Sequence, residues 1–130
     1  MKYSNLLEGL RTVAIIGLSN NPQRESYKTG KCLQALGIRV IPINPNISKT
    51  LDEKAYPNLT SIPGDIKIDA AVIFRKSEEI MLHLEEVLTF GGIKSVWLPQ
   101  GVDSKKAEDF AKQHHLSLVN NFCIINDAEQ

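Results

Sequence analysis

The chain has 130 residues, a length at which one hydrophobic core is expected without disulfides or metal ions to stabilise it. Its 15 Lys and Arg balance its 15 Asp and Glu, which removes the bulk electrostatic argument for a nucleic-acid partner. Two cysteines are too few for a secreted disulfide framework. No apolar run approaches the ~20 residues that span a bilayer, and the opening MKYSNLLEGLRT lacks the apolar stretch of a signal peptide. We therefore expect a cytoplasmic protein, a single domain over residues 1–130, with no nucleic-acid and no membrane partner.

Short β-branched runs alternate with segments of helical periodicity, which is the pattern of βαβ units around a parallel sheet. A short helix is expected between Ser4 and Leu10. The predicted strands are the runs Val13–Ile16, Arg39–Ile43, Ala70–Phe74, Ser95–Leu98 and Ser117–Val119. The predicted fold class is α/β: one Rossmann-like, doubly wound domain of about five parallel strands in the order 3-2-1-4-5, with helices on both faces.

Three crossover helices are expected between these strands. Small and apolar residues recur from Tyr27 to Leu36, and Gly37 follows as a helix stop. Ser77 is the predicted cap of the second helix, which ends before Gly91-Gly92, and Asp103 or Ser104 opens the third. The stretch 46–69 has poor periodicity and predicts an irregular crossover with one helical turn.

Ligands of open parallel sheets bind at the carboxyl ends of the strands, and the predicted order places the crevice at strands 1 and 4. The residues that follow the strands are small, polar and turn-forming. They contain no nucleophile–histidine–carboxylate set, and His83, His114 and His115 lack the spacing of a metal site, so we expect no catalytic and no metal-binding residues. The loops are those beginning at Gly17, Asn44, Arg75, Pro99 and Asn120.

The first of these loops carries the strongest single signal. Gly17 directly follows a buried strand and allows backbone to approach a phosphate, while the next helix offers free N–H groups and the positive end of its dipole. Ser19 adds a hydroxyl, and Arg24 and Lys28 add positive charge. An ordinary strand–helix turn with solvated cations explains the same residues equally well.

A dinucleotide fingerprint requires glycines where this chain has Ser19 and Pro22. It also requires an acidic residue at the end of strand 2, where the chain has Asn44-Pro45. An NAD site is therefore disfavoured. No Gly-x-x-x-x-Gly-Lys-Ser/Thr motif occurs, which argues against phosphoryl transfer.

Several segments together resemble the CoA-binding domain family, the stand-alone relatives of the nucleotide-binding domain of succinyl-CoA synthetase. The resemblance runs nearly end to end. Its carriers are VAIIGLSNNPQRESY at 13–27, GIRVIPINP at 37–45, YPNLTSIP at 56–63, IDAAVIFRKSE at 68–78 and VWLPQGV at 96–102. The resemblance implies CoA or acyl-CoA as the ligand, a small-molecule nucleotide cofactor, and leaves any protein partner unknown.

The resemblance also implies which residues hold the ligand. The CoA pyrophosphate would lie on the turn that begins at Gly17 and on the next helix, and the adenosine would lie beside strand 2. The end of strand 4 would form the opposite lip of the crevice. The implied pyrophosphate contacts are Gly17, Leu18, Ser19, Asn20 and Arg24, with Lys28 weaker; Asn44 and Pro45 border the adenosine; Phe74 and Arg75 line or seal the crevice; Pro99, Gln100 and Gly101 form the lip.

Family members often end in Asp-Arg-Cys after strand 5, whereas this chain has Asn120-Asn121-Phe122-Cys123. A tail folded over the crevice would bring the Cys123 thiol to the pantetheine thiol, making Cys123 a candidate thiol partner. A small buried apolar residue is the simpler interpretation of Cys123.

The leading hypothesis is a non-catalytic or regulatory protein that binds CoA or acyl-CoA. The ligase relatives also have a domain with a phosphorylated histidine, which the resemblance does not reach, so we do not expect synthetase activity. One alternative is a small NAD(P)- or CoA-dependent oxidoreductase or transferase that uses Cys123. Another is a degenerate Rossmann domain that binds a protein partner and leaves its crevice empty.

Overall fold

The computed structural model describes residues 4–124 of the chain; residues 1–3 and 125–130 of the expected single domain lie outside the described residues. In chain order the elements are α1 (Ser4–Leu7), β1 (Thr12–Ile16), α2 (Glu25–Ala35), β2 (Arg39–Ile43), β3 (Lys49–Thr50), β4 (Glu53–Lys54), β5 (Ala70–Ile73), α3 (Ile80–Phe90), β6 (Ser95–Pro99), α4 (Lys105–Gln113) and β7 (Ser117–Phe122).

The five longer strands form one parallel sheet, which confirms the predicted fold class. Their order is β2-β1-β5-β6-β7, so the predicted order 3-2-1-4-5 is wrong in one respect: the third long strand, β5, lies beside β1 and not beyond β2. The outer edge of β2 is instead occupied by Tyr56, whose N–H donates to Pro42 O at 3.0 Å and whose carbonyl accepts from Asn44 N at 2.9 Å. Pro42 has no N–H for a central ladder, which is the physical reason that β2 is an edge strand of the main sheet.

Side chains of the sheet alternate between two apolar layers, as expected for strands buried on both faces. On one face, Ile16 and Ile73 pack with α3 and α4 residues such as Leu84 and Ala107. On the other, Ile15 and Trp97 pack with Leu33 of α2. Helices therefore cover both faces, as predicted.

The helix ends show which local signals were correct. Gly37 ends the first crossover helix with a left-handed φ of +84°, and its N–H donates to Gln34 O at 2.9 Å. The prediction that Ser77 caps the second helix is wrong. Lys76 is the cap residue, and Ser77 is the first residue of a 3-10 turn, Ser77–Glu79, that leads into α3; its hydroxyl accepts from Asp103 N at 3.0 Å. The last strand is also longer than expected and includes Asn120 and Asn121.

The irregular crossover 46–69 contains the predicted helical turn, at Leu59–Ser61, and a hairpin of β3 and β4 that the sequence did not predict. Leu51 and Asp52 form its two-residue turn with φ of 54° and 60°. Arg39 of β2 binds Glu53 through two side-chain hydrogen bonds of 2.8 and 3.1 Å, and the hydrogen bond to this carboxylate raises the pKa of Arg39 above its ordinary value. The hairpin is thereby attached to the edge of the sheet.

Candidate functional site

The connections that leave β1 and β5 diverge to opposite faces of the sheet, because α2 covers one face and α3 the other. Such a switch point opens a crevice between two neighbouring strands, and ligands of doubly wound sheets bind there. The crevice predicted at strands 1 and 4 is therefore corrected to the carboxyl ends of β1 and β5.

Gly17 is the residue that brings the two strand ends together. Its φ is +87°, and a β-carbon at this position would collide with the carbonyl oxygen of Phe74. The Gly17 N–H donates to Ile43 O at 2.8 Å, and the Phe74 N–H donates to Ile16 O at 2.8 Å. Only glycine meets both requirements, a left-handed φ and the close approach of another backbone.

The loop after Gly17 is held by its own polar side chains. Ser19 N donates to the buried Ser26 hydroxyl at 3.1 Å, Asn21 N donates to the Ser19 hydroxyl at 2.9 Å, and Gln23 N donates to Asn21 Oδ1 at 2.9 Å. These bonds fix the path of the chain into α2. The loop is therefore ordered before any ligand arrives, which lowers the entropic cost of binding.

The amino terminus of α2 opens into this loop. Arg24 occupies the cap position with extended backbone, and its side chain makes no capping hydrogen bond. An α-helix leaves its first N–H groups without intrahelical partners and carries partial positive charge there. The arrangement suits an anion such as a phosphate, while the exposed Glu25 carboxylate in the first turn offsets part of the positive charge.

Asn44 connects the β2 loop to the glycine turn. Its Nδ2 donates to Leu18 O at 3.0 Å, and its Oδ1 accepts from Asn46 N at 2.9 Å. The Leu18 side chain is fully buried in the core, and Leu18 is not among the residues that line the clefts described below. Both amide atoms of Asn44 are used to hold the loops in place.

Two adjoining clefts follow from this geometry. The glycine-turn cleft, of about 460 Å³, is lined by Gly17, Ser19, Arg24, Glu25, Ser26, Asn44 and Phe74. The strand-end cleft, of about 540 Å³, is lined by Glu25, Phe74, Arg75, Lys76, Glu79, Pro99, Gln100 and Val102. Since Glu25 and Phe74 line both, the two clefts form one continuous crevice.

Arg75 lies across the junction of these clefts. Its guanidinium forms an ion pair with Glu79, with Nε–Oε2 at 3.0 Å and a second bond of 3.1 Å from Nη2 to Oε1. Its Cδ would be 3.2 Å from a β-carbon at Gly17, so the stem of the side chain passes over the glycine turn. The cation is close to the crevice and is partly neutralised by Glu79.

A third cleft lies between the loop after Gly17 and the hairpin of β3 and β4. This hairpin cleft, of about 740 Å³, is lined by Asn20, Tyr27 and the segment 48–54. Lys49 and Lys54 stand opposite each other in the hairpin, and Thr50 donates its hydroxyl to Ser19 O at 3.3 Å. The segment 48–54 was not predicted to line a site, because the sequence has no turn signal that marks the hairpin.

Most of the residues named from the sequence line one of these three clefts. Four of the named residues do not line these clefts: the exposed Lys28, Pro45 and Gly101, and the buried Leu18. Cys123 is partly buried directly after β7, between the buried residues Phe122 and Ile124, and it also does not line them. Ser26, missed from the sequence, is the buried hydroxyl that positions Ser19.

Within residues 4–124, no group of three His, Cys, Asp or Glu side chains is arranged to hold a metal ion. None of the helices in this part of the chain is both long enough and apolar enough to cross a membrane.

A family model described as the CoA binding domain matches residues 11–128. The chain belongs to the CoA-binding domain family. A relative of this CoA-binding domain, the "Uncharacterized protein YneT" of Bacillus subtilis, is 32% identical over 123 residues, which are 95% of this chain and 89% of that protein. The ADP-forming acetate–CoA ligase II subunit alpha of Pyrococcus furiosus is 33% identical over 67 residues, which are 51% of this chain and 15% of that subunit.

Solved structures show the same fold for this CoA-binding domain. A hypothetical protein from Pyrococcus horikoshii OT3 superposes with a TM-score of 0.88 and 28% identity, covering 98% of this chain and 88% of that one. The dinucleotide-forming acetyl-coenzyme A synthetase 1 of Ca. Korarchaeum cryptofilum shares the fold at a TM-score of 0.75 and 21% identity, covering 92% of this chain and 27% of that one.

Proposed function

We propose that this protein binds CoA or acyl-CoA at the carboxyl ends of β1 and β5, as a non-catalytic or regulatory protein. The observation that carries the proposal is the Gly17 turn, which presents backbone and the amino terminus of α2 to one ordered cleft in a chain of the CoA-binding domain family. The pyrophosphate binds in the glycine-turn cleft, because the N–H groups at the amino terminus of α2 and the Arg24 guanidinium there attract its negative charge.

The remaining parts of the ligand are assigned by chemistry. The adenosine lies beyond Asn44 toward the hairpin cleft. Of the two carboxylates that line this cleft with Lys49 and Lys54, Glu53 is already paired with Arg39, so positive charge remains for the 3′-phosphate. The pantetheine arm leaves in the opposite direction, along the strand-end cleft past Phe74 and Pro99. Because the chain has only two cysteines, we propose that it works in a reducing compartment such as the cytoplasm.

Thermal unfolding with CoA, dephospho-CoA and NAD tests the proposal. CoA at ~100 times its dissociation constant is expected to stabilise the fold by about 2.7 kcal/mol, a shift of several degrees in Tm. Dephospho-CoA, without the 3′-phosphate, is expected to stabilise less. Stabilisation by NAD alone would favour the oxidoreductase alternative, and the absence of any shift would favour the empty-crevice interaction module.

Replacing Arg24 with alanine is expected to weaken CoA binding about tenfold, because a cation at the cap of α2 is lost from the pyrophosphate site. Isothermal titration calorimetry measures the dissociation constant. Lys31→Ala is the matched control, since Lys31 is an exposed cation on the same helix outside the lining of the three clefts. Equal losses in both variants would mean that only net charge matters.

Replacing Glu79 with glutamine is expected to tighten CoA binding a few-fold, because Arg75 is released from its ion pair toward the crevice. Both side chains are about a third exposed, at 37% each, so the free energy of unfolding is expected to change by less than about 1 kcal/mol. Calorimetry and chemical denaturation measure the two effects. A weaker affinity would contradict this and would assign Glu79 the role of positioning Arg75.

A further inference from the structure

A fourth opening, the helix-pair groove, lies where the amino-terminal ends of α3 and α4 face each other. It has a volume of about 370 Å³ and is lined by Ser77, Glu78, Ile80, Met81, Asp103, Lys105, Lys106 and Ala107. Its floor is apolar, since Ile80 and Ala107 are buried and Met81 packs against the same core layer. Ile80 and Ala107 are each 1% exposed, so of these three side chains it is the partly buried Met81 that offers apolar surface to a ligand.

The helix-pair groove continues the strand-end cleft. Lys76 and Val102 line the cleft, and the next residue in each loop, Ser77 and Asp103, lines the groove. The hydrogen bond of 3.0 Å from Asp103 N to the Ser77 hydroxyl joins the two loops at the boundary. A chain-like ligand that follows the strand-end cleft away from Gly17 therefore arrives at this groove.

We infer that the helix-pair groove holds the acyl end of an acyl-CoA, and that the preferred ligand carries a short, uncharged acyl group. The inference rests on the proposed function. β6 is two strands from β1, about 10 Å at the spacing of a parallel sheet, and the pantetheine arm is longer than this.

The chemistry of the lining selects the acyl group. Two cations, Lys105 and Lys106, are balanced by two carboxylates, Glu78 and Asp103. Asp103 also accepts from Lys105 N at 3.2 Å, so the amino terminus of α4 already has an anionic partner, and the groove offers little net charge to a dicarboxylic acyl group such as succinyl. Met81 provides an adaptable apolar wall, because its unbranched thioether side chain changes rotamer readily. Free CoA, which has no acyl group, would leave this Met81 side chain uncovered.

Dissociation constants of the full chain for CoA and for acetyl-, butyryl-, hexanoyl- and succinyl-CoA test the inference. Each fully buried methylene strengthens binding by up to about fourfold, so butyryl-CoA is expected to bind several-fold more tightly than acetyl-CoA, and more tightly than succinyl-CoA. Met81→Trp is expected to fill the groove and remove this dependence while CoA affinity stays within about twofold. Leu82→Trp is the matched control, because Leu82 is the next residue of α3 and is 62% exposed.

Met81→Ala is a second variant that tests the same groove if Met81→Trp fails to fold. The shorter side chain enlarges the groove, so the acyl length that binds most tightly is expected to increase. Equal affinities across the acyl series in the wild type, or an unchanged series in both Met81 variants, would overturn the inference while leaving CoA binding intact. Failure of CoA itself to bind would overturn the proposed function first, and the two failures are therefore distinguishable.

Discussion

Gly17→Ala is expected to abolish CoA binding and to lower the free energy of unfolding by several kcal/mol. The left-handed φ of +87° alone costs an L-residue about 1–2 kcal/mol. The larger cost comes from the new methyl group, which meets the Phe74 carbonyl oxygen, a backbone atom fixed by its neighbouring strand. Separating the ends of β1 and β5 to relieve this collision would also distort the glycine-turn cleft.

Gly37→Ala is the matched control for this variant. Gly37 has a similar φ of +84° at the other end of α2, but a β-carbon there meets nothing within 4 Å. Its expected cost is about 1 kcal/mol, with CoA affinity unchanged. Chemical denaturation and calorimetry on both variants separate the cost of the backbone conformation from that of the collision, and equal destabilisation would show that the approach of Phe74 is unimportant.

Asn44→Asp is expected to weaken CoA binding by more than tenfold and to reduce stability by about 1–3 kcal/mol. Aspartate can still accept from Asn46 N, but it cannot donate to the partly buried Leu18 carbonyl, which would then have no partner in the cleft wall. Its negative charge would also line the cleft proposed to hold the pyrophosphate.

Asn46→Asp places the same charge two residues away, at an exposed position outside the lining of the glycine-turn cleft. It is expected to change CoA affinity by less than about twofold. Titration calorimetry on the two variants measures the difference. An unaltered dissociation constant in Asn44→Asp would contradict the assignment of the pyrophosphate to this cleft.

Much of the fold and the core of the site were readable in the sequence because they depend on local patterns. Apolar β-branched runs marked every long strand, and Gly37 marked a helix end through its own backbone freedom. Gly17, Ser19 and Asn44 were found because carboxyl-terminal strand ends share one edge of a parallel sheet whatever the strand order.

The strand order was decided by contacts that no local pattern contains. Pro42 lacks the N–H that a central strand needs, but no local pattern shows that the segment covering this edge comes through Tyr56, 14 residues later in the chain. With Tyr56 at the outer edge of β2, β5 pairs with the other edge of β1. Because the neighbour of β1 is β5 and not the fourth long strand, β6, the crevice lies at β1 and β5 and not at strands 1 and 4 as predicted.

The hairpin cleft shows most clearly what only the tertiary structure decides. The sequence by itself determined that an irregular crossover follows β2, but Leu51 and Asp52 are poor residues for a turn with two left-handed positions, so nothing local predicted the hairpin. Leu51 adopts this conformation because its side chain is buried against Gly30 of α2 and its carbonyl accepts from Gln34 Nε2 at 2.8 Å. Burial and a long-range hydrogen bond offset the local strain, and only the folded chain brings them together.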